Sequence, residues 1–123
     1  NYYINTYYGR KLKIKTTTGG RSNWVVPAGD RSWQDMAKAF PKAILVTGFL
    51  GGNANGITGD FSFGVNGQLV ENGVPTKSLS EMNVTGNVLS IFNQLAAVAN
   101  DTWTWSSVRS PTLIFEDVQF SGT

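Results

Sequence analysis

The chain contains neither cysteine nor histidine. Without cysteine there is no disulfide framework, no thiolate nucleophile and no sulfur ligand for zinc. Without histidine the commonest general base and the commonest metal ligand are both missing. Hydrolytic mechanisms built on those groups are closed to these 123 residues, and any chemistry of their own must come from carboxylate, Lys, Tyr, Ser or Thr. No apolar run approaches the roughly eighteen residues that a membrane span needs, so a soluble protein is expected. Asn1-Tyr2-Tyr3-Ile4 has no initiator Met, basic leader or cleavage site, and so reads as the interior of a longer protein rather than a signal peptide.

What is present describes a folded domain. Aromatics make up 12% of the residues, including four Trp and seven Phe, which argues for a packed core and against disorder. A chain this long is expected to bury roughly two-thirds of its unfolded surface and to stand without disulfides or metals. Charge is unevenly spread. Residues 1–42 carry a net +6 and residues 43–123 a net −4, a separation that suits internal or subunit complementarity. Tyr7, Tyr8, Arg10 and Lys11 also fit a basic-and-aromatic nucleic-acid surface. The alternation of Lys11, Lys13 and Lys15 with Leu12 and Ile14 favours the wet face of a strand over 7–15 instead.

Along the chain, Trp24-Val25-Val26 before Pro27 reads as a short strand. Ser32 followed by Asp35 resembles a capping box, and Trp33, Met36, Ala37 and Phe40 recur at helical spacing up to Pro41, which predicts a helix over 32–40. Ala43 to Thr47 suits a buried strand leading into a glycine-dense loop, Gly48 to Gly59. Phe61, Phe63 and Val65 share one face of a strand, Asn66-Gly67 suggests either a two-residue hairpin turn or, the favoured reading, a bulge in one long strand, and Asn72-Gly73 a type I′ hairpin turn. Asn87 is placed to cap a second helix over 87–100, carried by Val88, Ile91, Phe92, Leu95, Val98 and Ala99 and packed on the sheet. Trp103 and Trp105 alternate with threonines as on one face of a strand, and 112–115 and 118–120 read as strands. The fold expected is mainly β with two helices (α+β), its antiparallel sheets forming a barrel-like or sandwich arrangement over 1–123 as a single domain.

Candidate chemistry is sparse. The glycine stretch lacks the Lys of a phosphate loop and is not followed directly by a helix, so close backbone packing or a mobile loop is the better reading. Asp60 and Glu71 are carboxylates that could pair for acid–base work, but both sit beside turns, where acids serve local hydrogen bonding. Glu116 and Asp117, adjacent on a strand, would point to opposite faces. Trp103, Trp105 and Phe63 could form a stacking platform for sugar or peptide, though core or subunit contact is the commoner use of such rings.

Ordered blocks across the chain then carry a family resemblance. Thr6-Tyr7-Tyr8-Gly9-Arg10-Lys11-Leu12, Thr58-Gly59-Asp60-Phe61-Ser62, Gly64-Val65-Asn66-Gly67, Val70-Glu71-Asn72-Gly73, Val84-Thr85-Gly86-Asn87-Val88-Leu89, Ala97-Val98-Ala99-Asn100-Asp101, Ser110-Pro111-Thr112-Leu113 and Phe120-Ser121-Gly122 resemble the end of TldD/PmbA proteins, on the PmbA (TldE) side. The resemblance implies the C-terminal domain of a cytoplasmic bacterial or archaeal subunit in a two-part metalloprotease complex acting on unfolded peptides. In that family the TldD-type subunit carries an HExxxH zinc motif and a further Cys ligand. No catalytic or metal-binding residue transfers to any position here, so this domain is expected to be non-catalytic alone, with no cofactor of its own and zinc only in a TldD-like partner. The family is also described as a modulator of DNA gyrase, for which no DNA-reading feature is evident. Partner or peptide contact is expected at Phe49, Gly51, Gly52 and Asn53 in the glycine loop and at Trp103 and Trp105. The TldD-like subunit could be replaced by self-association; no membrane is involved and nucleic acid is disfavoured. The alternatives left open are a stand-alone peptide- or glycan-binding module and a carboxylate hydrolase.

Overall fold

The computed structural model describes residues 4–17 and 23–122. The element order is α1 (Thr6–Leu12), β1 (Trp24–Val25), α2 (Trp33–Ala37), β2 (Lys42–Ala54), β3 (Asp60–Glu71), β4 (Val74–Asn87), α3 (Val88–Asn93), β5 (Leu95–Val98), β6 (Val108–Arg109), β7 (Leu113–Phe115) and β8 (Gln119–Ser121). The main sheet is antiparallel and open, in the order β2-β3-β4-β8, and two small sheets pair β5 with β7 and β1 with β6. The sheets do not close into a barrel. The β1–β6 pair is parallel, an exception to the antiparallel expectation. No helix among the described residues is long and apolar enough to cross a membrane.

Local chemistry explains the long meander. Asn72 and Gly73 sit at φ 51° and 83°, the two positive angles that a two-residue I′ turn requires. The expected bulge is also present: β3 slips register against β4 between Val65 and Gly67. Val65, Met82 and Val84 are buried together, with Ile44, Val46, Phe61, Phe63, Leu79, Val118 and Phe120 packed around them. Helix α2 begins as a capping box, the Ser32 hydroxyl accepting from the Asp35 amide at 3.2 Å and donating to its carboxylate at 3.0 Å. A Cβ on Gly73 would approach the Gln34 carbonyl within 2.7 Å, so the β3–β4 turn lies directly against α2.

Several expectations fail, most because a longer-range partner or an unread cap outweighs local pattern. Residues 7–15 are not a strand. The Asn5 side chain accepts from the Tyr8 amide at 3.0 Å and starts α1, while Lys13 at φ 53° closes it; Arg, Lys and Leu are good helix formers, and the lysine alternation is too short to compete. The glycine loop is instead the second half of β2, paired with β3 through Ala54; only 55–59 form the turn, and in the run expected to be buried Ala43 to Val46 are half-buried and Thr47 is exposed. Helix 87–100 stops at Asn93, because Leu95, Ala97 and Val98 pair with Phe115, Ile114 and Leu113, and α3 buries none of its residues. Finally, 103 and 105 lie on no strand, and Asp117 at φ 53° takes Glu116-Asp117 out of strand geometry.

Candidate partner-contact surface

The C-terminal half of β2 is on the open edge of the main sheet. Register breaks between Val46 and Gly48 and between Phe49 and Gly51 each insert one residue. Period two alone would turn Phe49 away from the Ile44 and Val46 face. The extra residue at Thr47 brings it back, edge-on to Phe63 with centroids 5.7 Å apart, and Phe63 in turn stacks on Phe61 at 5.9 Å. Phe49 remains 68% exposed and Leu50 62%, so this edge is apolar and carries no charge between Lys42 and Ala54. Gly52 is held at φ 147°, and a Cβ there would fall 2.1 Å from the Ser62 carbonyl; the strands approach too closely for any other residue. Gly51, with open space around it, and the exposed Asn53 continue the edge.

Trp103 and Trp105 sit on the irregular segment between β5 and β6, 63% and 86% exposed. They are not core. Asp101 anchors the segment, its carboxylate accepting from the Thr112 amide at 2.9 Å and hydroxyl at 2.7 Å. Burial pushes the Asp101 carboxyl up, but the Thr112 bonds outweigh it and leave the group below its usual value. Nearby in the sheet pairing, Trp24, Val25 and Val108 on β1 and β6 are each more than half exposed. Among the described residues no ring contact joins Trp103 or Trp105 to Phe49 or Phe63, so the three-ring stacking platform with Phe63 does not form. The residues expected to make partner contact are divided instead between a β2 edge and an indole-bearing loop.

The carboxylates are not a catalytic pair. Asp60 and Glu71 are the two ends of β3, about 35 Å apart as extended chain. Asp60 accepts from the Asn87 side-chain amide at 2.8 Å, and the same amide donates to the Thr58 carbonyl at 2.8 Å. The Asn87 bond, with help from Thr58, holds the Asp60 carboxyl below its usual value. The Asn87 oxygen meanwhile accepts from the Leu89 amide at 3.0 Å and caps α3. One side chain therefore ties the β2–β3 turn to the start of α3, a role that reading Asn87 as a cap alone missed. Glu71 faces Lys42 across the sheet, a favourable opposite-charge pairing. No group of three or more His, Cys, Asp or Glu able to hold a metal occurs among the described residues, and a zinc site needs nitrogen or sulfur donors that the sequence does not supply. The donor set does not fit zinc.

Residues 1–122 match the family model described as the PmbA/TldA metallopeptidase C-terminal domain. The chain belongs to the PmbA/TldD family. It is 30% identical over 123 residues to Metalloprotease PmbA of Escherichia coli O157:H7, covering 98% of this chain and 27% of that protein. Among solved structures it is similar to a candidate modulator of DNA gyrase from Bacteroides thetaiotaomicron, with TM-score 0.83 and 47% identity over all of this chain and 28% of the other. It also shares the fold of TldE from Thermococcus kodakarensis, with TM-score 0.77, 21% identity, 99% of this chain and 31% of that one. The chain thus spans less than a third of the length of these PmbA and TldE relatives, and corresponds to their C-terminal domain.

Proposed function

We propose that this PmbA/TldE-type domain serves a two-subunit metalloprotease complex that acts on unfolded peptides, and contributes contact surface rather than catalysis. The observation that carries the reading is chemical. A sequence matched over residues 1–122 to a metallopeptidase C-terminal domain contains no imidazole and no thiol, which supports a zinc and general base supplied from outside this domain, in this reading by a TldD-like partner. The PmbA relatives are named metalloproteases, which supports the peptidase setting.

In this reading the β2 edge and the Trp103 and Trp105 loop dock the partner and line the chamber that receives peptide. Aromatic side chains fixed on a stiff scaffold offer large contact area at low entropic cost. Phe49, Gly51, Gly52 and Asn53 supply one contact and the two indoles the other. The chain's residues position and exclude water; the metal, where the partner holds it, would polarise the peptide carbonyl.

Reconstitution tests the proposal. The full-length protein bearing this domain and a TldD-like subunit are purified apart and assayed on an unfolded polypeptide, singly and mixed. Chelator-sensitive cleavage is expected to require the TldD-like subunit. The double variant Trp103→Ala/Trp105→Ala is expected to weaken association in the mixture by at least tenfold, since buried interface tryptophans carry about 2 kcal/mol or more each. Chelator-sensitive cleavage by the full-length protein alone contradicts the reading.

A further inference from the structure

The main sheet has an apolar face that the described residues leave only partly covered. Ile44, Val46, Phe61, Phe63, Leu79 and Val118 line a trough of about 1230 Å³ between that face and the β5–β7 sheet. Its charged lining consists of Lys42, Lys77, Glu116 and Asp117, two of each sign. The trough exceeds the roughly 300–1,000 Å³ of small-molecule sites and lacks the few convergent polar groups that orient a small ligand.

Surface area shows how far the domain is from self-sufficient. The chain exposes 9154 Å², whereas a compact monomer of 13.3 kDa exposes about 6,450 Å². The nine residues outside the described set account for no more than about 1,450 Å² even as unfolded chain. More than about 1,200 Å² of excess remains, on the scale of a full protein–protein interface. Among the described residues, seven hydrophobic residues are buried while seventeen large ones are exposed. The expectation of a core burying two-thirds of the unfolded surface is therefore not met; the fraction is nearer one half.

We propose that an apolar, uncharged segment of the same polypeptide, lying outside these 123 residues, seats in this trough and completes the core. Three observations select that occupant. The balanced sparse charge gives a charged partner nothing to recognise. The E. coli and T. kodakarensis relatives are more than three times as long as the matched region, which leaves ample chain to supply a cover. A face this large and apolar is an aggregation hazard in any free subunit, whereas a covalently attached cover is present at high effective concentration regardless of assembly. The inference extends the family assignment and is independent of where zinc is bound.

Thiol labelling of the full-length protein tests it. Val46→Cys and Leu79→Cys place probes in the trough, and Ile57→Cys, at a site 97% exposed in the β2–β3 turn, is the control, each in a background whose other cysteines are removed. A covered trough labels only through opening of the structure, so both probes are expected to react roughly a hundredfold or more slower than Ile57→Cys, at every protein concentration. Reaction within about tenfold of the control leaves the trough open and overturns the proposal. Protection that appears only where subunits associate assigns the cover to a second subunit and overturns it equally. Circular dichroism and the melting temperature of each variant establish that the labelled molecules are folded.

Discussion

Single side chains explain why the most recognisable stretch of this sequence is structural. Thr58, Gly59 and Asp60 converge on Asn87, which donates to two oxygens and accepts from an amide. Asn87→Ala removes the cap and both clamp bonds. It is expected to lower stability by about 1–2 kcal/mol, read as a shift in denaturation midpoint; an unchanged midpoint contradicts the clamp. Asp60 and Asp101 are both held below the ordinary carboxylate value. A depressed folded pKa contributes stability that is present above that value and lost as pH falls through the folded value. Stability is therefore expected to drop on acidification below about pH 4. Thr112→Val removes the hydroxyl bond to Asp101, costs about 1 kcal/mol at neutral pH, and makes the acid limb shallower in denaturant titrations across that range. An acid limb as steep as the parent's would show that Thr112 does not set it.

Elements were legible where their determinants are local. The Asn72-Gly73 turn, the Asn66-Gly67 bulge and the Ser32 capping box each depend on residues within a few positions of one another, and each is where the residue pattern puts it. Elements set by distant partners were not. Leu95 to Val98 carries helical spacing, yet the β7 strand captures it. The glycines after Thr47 read as loop, yet β3 requires them as strand. Gly52 is the clearest case, since only hydrogen fits beside the Ser62 carbonyl. Gly52→Ala is expected to cost more than about 1 kcal/mol through its positive φ and the clash. Gly56→Ala, with nothing within 4 Å of the added carbon, should stay within about 0.5 kcal/mol. Equal midpoints for the two variants in chemical denaturation would contradict the strand assignment. The exposure of the aromatic rings was not legible: it depends on which elements end up above Trp103, Trp105 and Phe49, and no local pattern encodes that.

At the scale of the whole molecule, the domain is an open sheet with more accessible surface than a free-standing protein of its mass carries. That excess and the family match suit a domain that works as part of a longer protein; in the proposed function the catalytic metal is held by a TldD-like partner. The direct measurement is zinc content by plasma emission, made on the full-length subunit bearing this domain after separation from any TldD-like partner and dialysis against metal-free buffer. The account predicts no bound zinc in this subunit and zinc in the partner. Stoichiometric zinc retained by this subunit alone would contradict it.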